Sequence, residues 1–383
     1  MNFLLTAIVA VLVFGTVVLV HEAGHFFAAR HCGIHVEEFS IGFGPALWST
    51  VRGGTRYSVR LLPLGGYNNL AGETPEESED PDEQERAEPA KKQDAAAASV
   101  HTYDLHAPLF PLTVDGKSFV EASPWQRFFV IAAGALMNFV LGFVVLVVLI
   151  AAQNEPITSK TIYSIENDAL CGQTGLQAGD KILAVNGRRC FVANDILYEL
   201  MRTEDYTADF TVLRDGKKVE LPGVQFDTWQ DDKGETHMNL GFTVYGIKKT
   251  PLNVLKEAGN SVLYYGRIIF ASLSDLLRGR ESINDLSGPV GIVTAIGQAA
   301  SYGWQDLLEM LVLITVNVGI FNLLPFPALD GGKVVFLLIE GVTGHAVPEK
   351  IQSGLTVAAF ALLFGLMIFA TYNDILRLIT GAM

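Results

Sequence analysis

The chain has 383 residues, 50% of them apolar, and carries 27 basic against 41 acidic groups for a formal net charge of −14. Its mean hydropathy is nevertheless positive, +0.32, which excludes both an ordinary acidic soluble protein and a chain embedded in lipid throughout. Nucleic acid is excluded as a partner because no clustered Lys/Arg face is present, and Cys32, Cys171 and Cys190 are too few for a disulfide scaffold and match no zinc-ribbon spacing.

Charge and hydropathy are segregated along the chain. Phe3 to Val20 carries no charge, and apolar character resumes after a short polar cluster through Ala29; Phe128 to Ala152, Met310 to Leu329 and Ile351 to Asn373 are three further uncharged runs. Each is close to the roughly 20 residues a helix needs to cross a bilayer core of about 30 Å. The spacing predicts a polytopic α-helical membrane protein with four transmembrane helices, at 1–30, 127–152, 306–332 and 351–373. The first run has no basic n-region and leads into His and Glu instead of a small-residue cleavage site, so it reads as retained, not as a cleaved signal. Arg30, Lys117, Arg127, Lys333 and Lys350 flank one side of these runs, Lys160 and Arg377 the other. The positive-inside rule then predicts both termini outside, 30–127 and 330–350 in the cytoplasm, and 153–305 outside.

Between the first two runs the chain divides. Residues 31–72 are expected to form a cytoplasmic β-loop, because Tyr57, Val59 and Leu61 alternate with Ser58, Arg60 and Leu62 before Pro63 and Gly65-Gly66 turn the chain, as in a short edge strand or hairpin. Residues 73–120 read as a disordered, solvated insertion; positions 73–94 alone hold ten acidic and three basic groups, half of the net charge. Between runs two and three, Gly175 to Gly187 reads as turn, strand and turn, Asn194 to Met201 as a helix, and Phe210 to Leu221 as a hairpin turning at Asp215-Gly216. A small β-rich domain at 153–225 is expected, followed by a linker at 226–305 in which Leu252, Leu255, Ala258, Val262, Tyr265 and Ile269 follow helical spacing on an amphipathic helix. Cys171 and Cys190, with 18 residues between them, either pair or stay as buried thiols.

The chemistry concentrates in two places. His21-Glu22-Ala23-Gly24-His25 sets two imidazoles at i and i+4 on one helix face, where both can ligate zinc while Glu22 acts on a water. Ionisable groups at the end of a membrane span are costly unless paired or metal-bound. Zinc needs a third protein ligand, and Asp330 qualifies: it closes Asn322-Leu-Leu-Pro-Phe-Pro-Ala-Leu-Asp330-Gly331-Gly332 at the same expected membrane depth. His31 and His35 read as surface residues and Cys32 as inert.

HEAGH on the first span with NLLPFPALDGG on the third resembles the site-2 protease family of intramembrane zinc metalloproteases, in its bacterial RseP-type branch. Gly134-Ala-Leu-Met-Asn138 is similar to that family's Gly-x-x-x-Asn element, GLQAGDKILAVNG (175–187) resembles a PDZ domain, and Ser287 to Ile292 resembles the segment before the third span. The resemblance implies a Zn2+ cofactor held by His21, His25 and Asp330, Glu22 as catalytic base, and Asn322 as an oxyanion or substrate-positioning donor. Asn138 reads better as an interhelical hydrogen-bond residue. It further implies an inserted extracytoplasmic α+β PDZ-like domain and a membrane-re-entrant β-hairpin in which Tyr57, Val59 and Leu61 would pair with a substrate strand, although Asn68-Asn69 is unusually polar there. The implied activity is cleavage of single-span membrane proteins, such as anti-sigma factors and remnant signal peptides, after an upstream site-1-type protease has cut them, in the bacterial cytoplasmic membrane. A membrane scaffold that only binds through its PDZ-like domain is the alternative; a transporter is disfavoured by the lack of an inverted repeat.

Overall fold

The computed structural model describes residues 3–73, 116–203, 205–232, 234–280 and 282–380. Most of the expected acidic insertion, 74–115, lies outside the described residues. Helix α1 spans Phe3–His31, strands β1 and β2 span Val36–Arg52 and Thr55–Leu70, and α2 spans Pro124–Ala152. Then follow β3 (Ile157–Ile165), α3 (Leu170–Gln173), β4 (Lys181–Val185), β5 (Arg188–Arg189), α4 (Ala193–Leu200), β6 (Thr207–Arg214), β7 (Lys217–Gln225), β8 (Asp227–Gln230), β9 (Thr236–Asn239) and β10 (Phe242–Ile247). The chain closes with α5 (Pro251–Leu277), α6 (Pro289–Tyr302), α7 (Trp304–Leu323), α8 (Asp330–Thr343) and α9 (Glu349–Thr380). Helices α1, α2, α7 and α9 are long and apolar enough to cross a membrane. The fold is that of a polytopic membrane protein carrying a β-rich domain.

Two compact units result. The first, which we call the hairpin unit, comprises Ile8–Met137 and Phe321–Phe364. Its core joins Ala28, Ala29, Val130, Ile131 and Ala133 of α1 and α2 to Ile34, Val36, Leu70 and Phe119. Strands β1 and β2 are both bent, and this changes the expected hairpin. Val36–Ile41 pairs with Gly66–Leu70, while Phe39, Ser40 and Ile41 also face Tyr57, Ser58 and Val59, which in turn face Thr50, Ser49 and Trp48. Two long strands thus build four rows, ordered 66–70, 36–41, 56–60 and 46–52. Tyr57 and Val59 occupy an inner row with partners on both sides, so they cannot offer a free edge to a substrate. Inside this sheet Glu38 takes hydrogen bonds from Ser58 (2.5 Å) and Arg60 (2.7 Å). Burial works against its ionised form, but these donors hold its carboxyl below the usual range.

The expected helix over 306–332 is two helices. Pro325 and Pro327 cannot continue α7, residues 324–329 leave helical geometry, and Asp330 opens α8. The turn is tight enough that a Cβ on Gly331 would lie 2.0 Å from the Leu324 carbonyl oxygen, and one on Gly332 2.4 Å from that of Phe326. Arg127 of α2 pairs with Glu340 of α8 at 2.6 Å.

The second, or sheet, unit comprises Met1–Ala7, Asn138–Ile320 and Gly365–Met383. Its sheet runs β10-β3-β4-β6-β7, with β5 paired to β4. The expected domain end at 225 falls short, because β10 returns from beyond it to pair with β3; 226–305 is structured, with β8–β10, α5 and α6. Asp215 and Gly216 turn the β6–β7 hairpin at φ of 50° and 77°, the left-handed pair a two-residue loop requires. Cys171 and Cys190 are buried free thiols, and burial pushes Cys190 up to about 12, which makes it a poor nucleophile. In α5, Val254, Ala258 and Ile269 form the buried stripe, while Leu252 and Leu255 of the expected face are exposed. Asn138 is fully buried, and its backbone carbonyl accepts from the Thr315 hydroxyl of α7 at 3.2 Å. The Asp374 carboxylate of α9 accepts from the N–H groups of Gly288 and Gly291 (3.1 and 2.7 Å), capping α6.

Helix α4 is joined to α5 by buried charge. Asp195 accepts from the Val192 N–H and pairs with Arg267, which also lies 3.3 Å from Glu199. Removing one partner strands the other charges out of water, at a cost of about 3–5 kcal/mol, whereas an exposed pair such as Lys218–Glu220 contributes about 0–1 kcal/mol. Arg267→Met is therefore expected to lower the thermal unfolding midpoint in detergent by several degrees, and Lys218→Met to leave it unchanged; equal shifts would refute the role given to this network.

Candidate metal centre

Helix α1 carries His21, Glu22 and His25 near its C-terminal end. The i, i+4 spacing stacks the imidazoles edge to face, centroids 4.8 Å apart, with their Nε2 atoms 3.2 Å apart. His25 Nδ1 donates to the Val130 carbonyl of α2 at 2.9 Å. That bond places the proton on Nδ1 and leaves the Nε2 lone pair aimed into the site, the usual orienting role of a partner behind a ligating imidazole.

Glycines permit this approach. A Cβ on Gly24 would stand 2.4 Å from the Ala133 carbonyl oxygen, so α1 and α2 touch backbone to backbone; a Cβ on Gly134 would stand 2.3 Å from His25 Nε2 and 2.9 Å from His21 Cε1. Asp330, at the first position of α8, brings Oδ2 to 3.1 Å from His21 Nε2 and 3.3 Å from His25 Nε2.

The three atoms form a nearly equilateral triangle with sides of 3.1 to 3.3 Å. A tetrahedral ion with bonds of about 2.0–2.1 Å sets its ligand atoms roughly 3.3–3.4 Å apart. The donor set, two imidazoles and a carboxylate, is that of catalytic zinc sites, which keep a fourth position for water or substrate. Three electron-rich atoms converging in a largely buried place also call for a cation between them. The residues therefore fit zinc. A second cluster among the described residues, Asp231, Glu235 and His237, is accounted for locally, since Asp231 accepts from the Glu235 N–H and pairs with His237 within the β8–β9 turn.

Glu22 is held from the sheet side: Asn68 of β2 donates to its backbone carbonyl at 2.8 Å and to its Oε2 at 2.7 Å. Gly66 on the same row is crowded from two sides: a Cβ there would meet the Ser40 carbonyl oxygen of β1 at 2.7 Å, Glu22 Cγ at 3.2 Å and Val18 Cγ1 at 3.5 Å. Asn322 lies in the last turn of α7, half-buried, in the same unit. Structure thus gathers His21, Glu22, His25 and Asp330 and leaves Tyr57 and Val59 inside the sheet. The sequence alone did not pick out Asn68 as a partner of Glu22; the only signal was the polar Asn68-Asn69 pair at the end of a strand whose preceding stretch, Leu61 to Tyr67, is uncharged and mostly apolar.

Residues 9–366 match the family described as Peptidase family M50. The chain is similar to the regulator of sigma-W protease RasP of Bacillus subtilis, at 32% identity over 98% of this chain and 99% of that protein. It is equally similar to the zinc metalloprotease RasP of Bacillus licheniformis, 32% identical over 97% of this chain and 99% of the relative. A putative zinc metalloprotease of Agrobacterium fabrum, Atu1380, is 29% identical over 96% and 95%.

Gly134→Ala is expected to lower zinc affinity by about 10- to 100-fold, the usual consequence of disturbing the support of a ligand. Gly15→Ala on α1, whose Cβ would meet nothing within 4 Å, should keep one zinc per chain. Metal analysis after dialysis against graded chelator separates the two, and equal retention would show that Gly134 does not shape the site.

Proposed function

The chain belongs to peptidase family M50 and is a site-2-type zinc metalloprotease acting within the membrane, and from that premise we propose that His21, His25 and Asp330 are its zinc ligands and Glu22 its general base. The observation carrying this reading is the triangle of ligand atoms at 3.1 to 3.3 Å with Glu22 beside it on the same helix. Zinc, when bound, supplies a Lewis acid that polarises the scissile carbonyl and lowers the pKa of a water towards about 7. Glu22 takes the proton of the attacking water and delivers it to the leaving amine. Asn322 is the candidate donor to the developing oxyanion.

A helical substrate span hides its peptide bonds in its own hydrogen bonds, so the segment to be cut must be extended, and strand addition to a sheet edge stabilises that form. The edge suited to this is Gly66–Leu70, which pairs only with the row Val36–Ile41 among the described residues and lies against Glu22. It replaces Tyr57, Val59 and Leu61 in that role. Substrates in this reading are single-span membrane proteins already trimmed by an upstream site-1-type protease. The name of the Bacillus subtilis relative, a regulator of sigma-W protease, supports an anti-sigma factor among them, with remnant signal peptides as a second class. The distribution of Lys and Arg supports both termini and the β-rich domain on the extracytoplasmic side of a bacterial cytoplasmic membrane. That domain we read as PDZ-like, a filter or C-terminus receptor, with β10 at the edge of its sheet.

The test is Glu22→Gln, assayed on a single-span reporter in detergent or liposomes with zinc measured in parallel. Full zinc content with a rate reduced about 10²- to 10⁴-fold is expected. Cleavage at the wild-type rate by the zinc-loaded variant would remove Glu22 from the role of base.

A further inference from the structure

Asn68 sits on the edge row 66–70, and both hydrogens of its amide are spent on one residue. One N–H goes to the Glu22 backbone carbonyl (2.8 Å), the other to Glu22 Oε2 (2.7 Å). Because both neighbours are acceptors, the amide can face them only through its nitrogen, which fixes its orientation. We propose that Asn68 is a positioning residue for cleavage: it locks the Glu22 side chain by tying Oε2 to the backbone of its own residue, leaving Oε1 to take the proton of the attacking water. This inference rests on the reading of Glu22 as general base.

Three features of the place support a dedicated role over incidental contact. A glutamate on a helix surface loses several rotatable bonds' worth of freedom when it is fixed, and a bond to its own residue's carbonyl and carboxylate together selects a single rotamer. A Cβ on Gly66, two residues earlier on the same row, would meet the Ser40 carbonyl oxygen at 2.7 Å and Glu22 Cγ at 3.2 Å, so the row packs closely on both β1 and α1. The Oδ1 atom of Asn68 is buried and has no hydrogen-bond partner among the described residues, so among these the amide is held by what its nitrogen does. Such an arrangement is commoner at functional sites than in cores, where buried polar atoms are satisfied. The same strand edge is the one assigned above to the substrate, so base and peptide are registered to a single element, and misplacement of a base by a fraction of an ångström lowers the rate of the chemical step more than binding.

The experiment compares wild type, Asn68→Leu, Asn68→Asp and Glu22→Gln as full-length protein, reading kcat and KM on a single-span reporter together with zinc content and thermal midpoint. A positioning role predicts that Asn68→Leu lowers kcat about 10- to 100-fold, with KM within about two-fold and one zinc per chain retained. Asn68→Asp keeps the shape but replaces both donors with an acceptor, so its kcat should fall at least as far as that of Asn68→Leu. Unchanged kcat, an effect confined to KM, or a loss of kcat that tracks lost zinc or a collapsed midpoint in both variants would overturn the proposal. A wild-type rate in zinc-loaded Glu22→Gln overturns the base assignment itself. A defect in Glu22→Gln with none in either Asn68 variant overturns only the positioning role.

Discussion

The fold answers to one constraint: two imidazoles and a carboxylate must meet within about 3.3 Å on helices otherwise built to face lipid. Polar groups in such surroundings are expensive unless they are paired or bind a metal. His21 and His25 come together through helical spacing alone, but everything else at the site needs long-range help. Gly24 and Gly134 let α1 and α2 close to backbone contact, and the Val130 carbonyl that this approach supplies orients His25. The proline-broken turn after α7 then sets Asp330 at the start of α8, where the helix N-terminus favours a carboxylate. Without the backbone-close packing, the Val130 carbonyl that orients His25 would be out of reach.

The proposed reaction adds a second requirement, access to an extended peptide next to that centre. The bent strands β1 and β2 meet it by folding twice, so that one outer row, 66–70, reaches Glu22 while the inner row is saturated on both sides. Gly66 is where this packing is tightest, since a Cβ there would crowd both the Ser40 carbonyl oxygen of β1 and Glu22 Cγ of α1. In the sheet unit, buried charge ties α5 to α4 through Arg267 and Asp195, and Asp374 of α9 caps the α6 N-terminus.

The apolar runs, HEAGH and LDGG were legible because their information is local: composition over some 20 residues, two histidines one turn apart, a carboxylate before two glycines. The Asp215-Gly216 hairpin and the helix near 193–200 were legible for the same reason. What sequence did not reveal was register between distant segments. Alternation at Tyr57, Val59 and Leu61 identifies a strand but not how many neighbours it has, and only the pairing of Tyr57 with both Phe39 and Thr50 shows that this row lies inside. Likewise the return of β10 to β3 and the contact from Asn68 to Glu22 are tertiary facts, spanning 46 residues in the latter case. The polar pair Asn68-Asn69, out of keeping with a membrane-associated strand, was where local reasoning stopped and where the contact to Glu22 lies.

The central claim is that His21, His25 and Asp330 are the metal ligands, and zinc K-edge X-ray absorption on the purified full-length protein, wild type beside Asp330→Ala, tests it most directly. One zinc per chain is expected in the wild type, with two imidazole signatures, light-atom neighbours at about 2.0–2.1 Å and no sulfur, and a reduced stoichiometry in the variant. A sulfur neighbour in the wild type, or an unchanged zinc content and spectrum in Asp330→Ala, would contradict it.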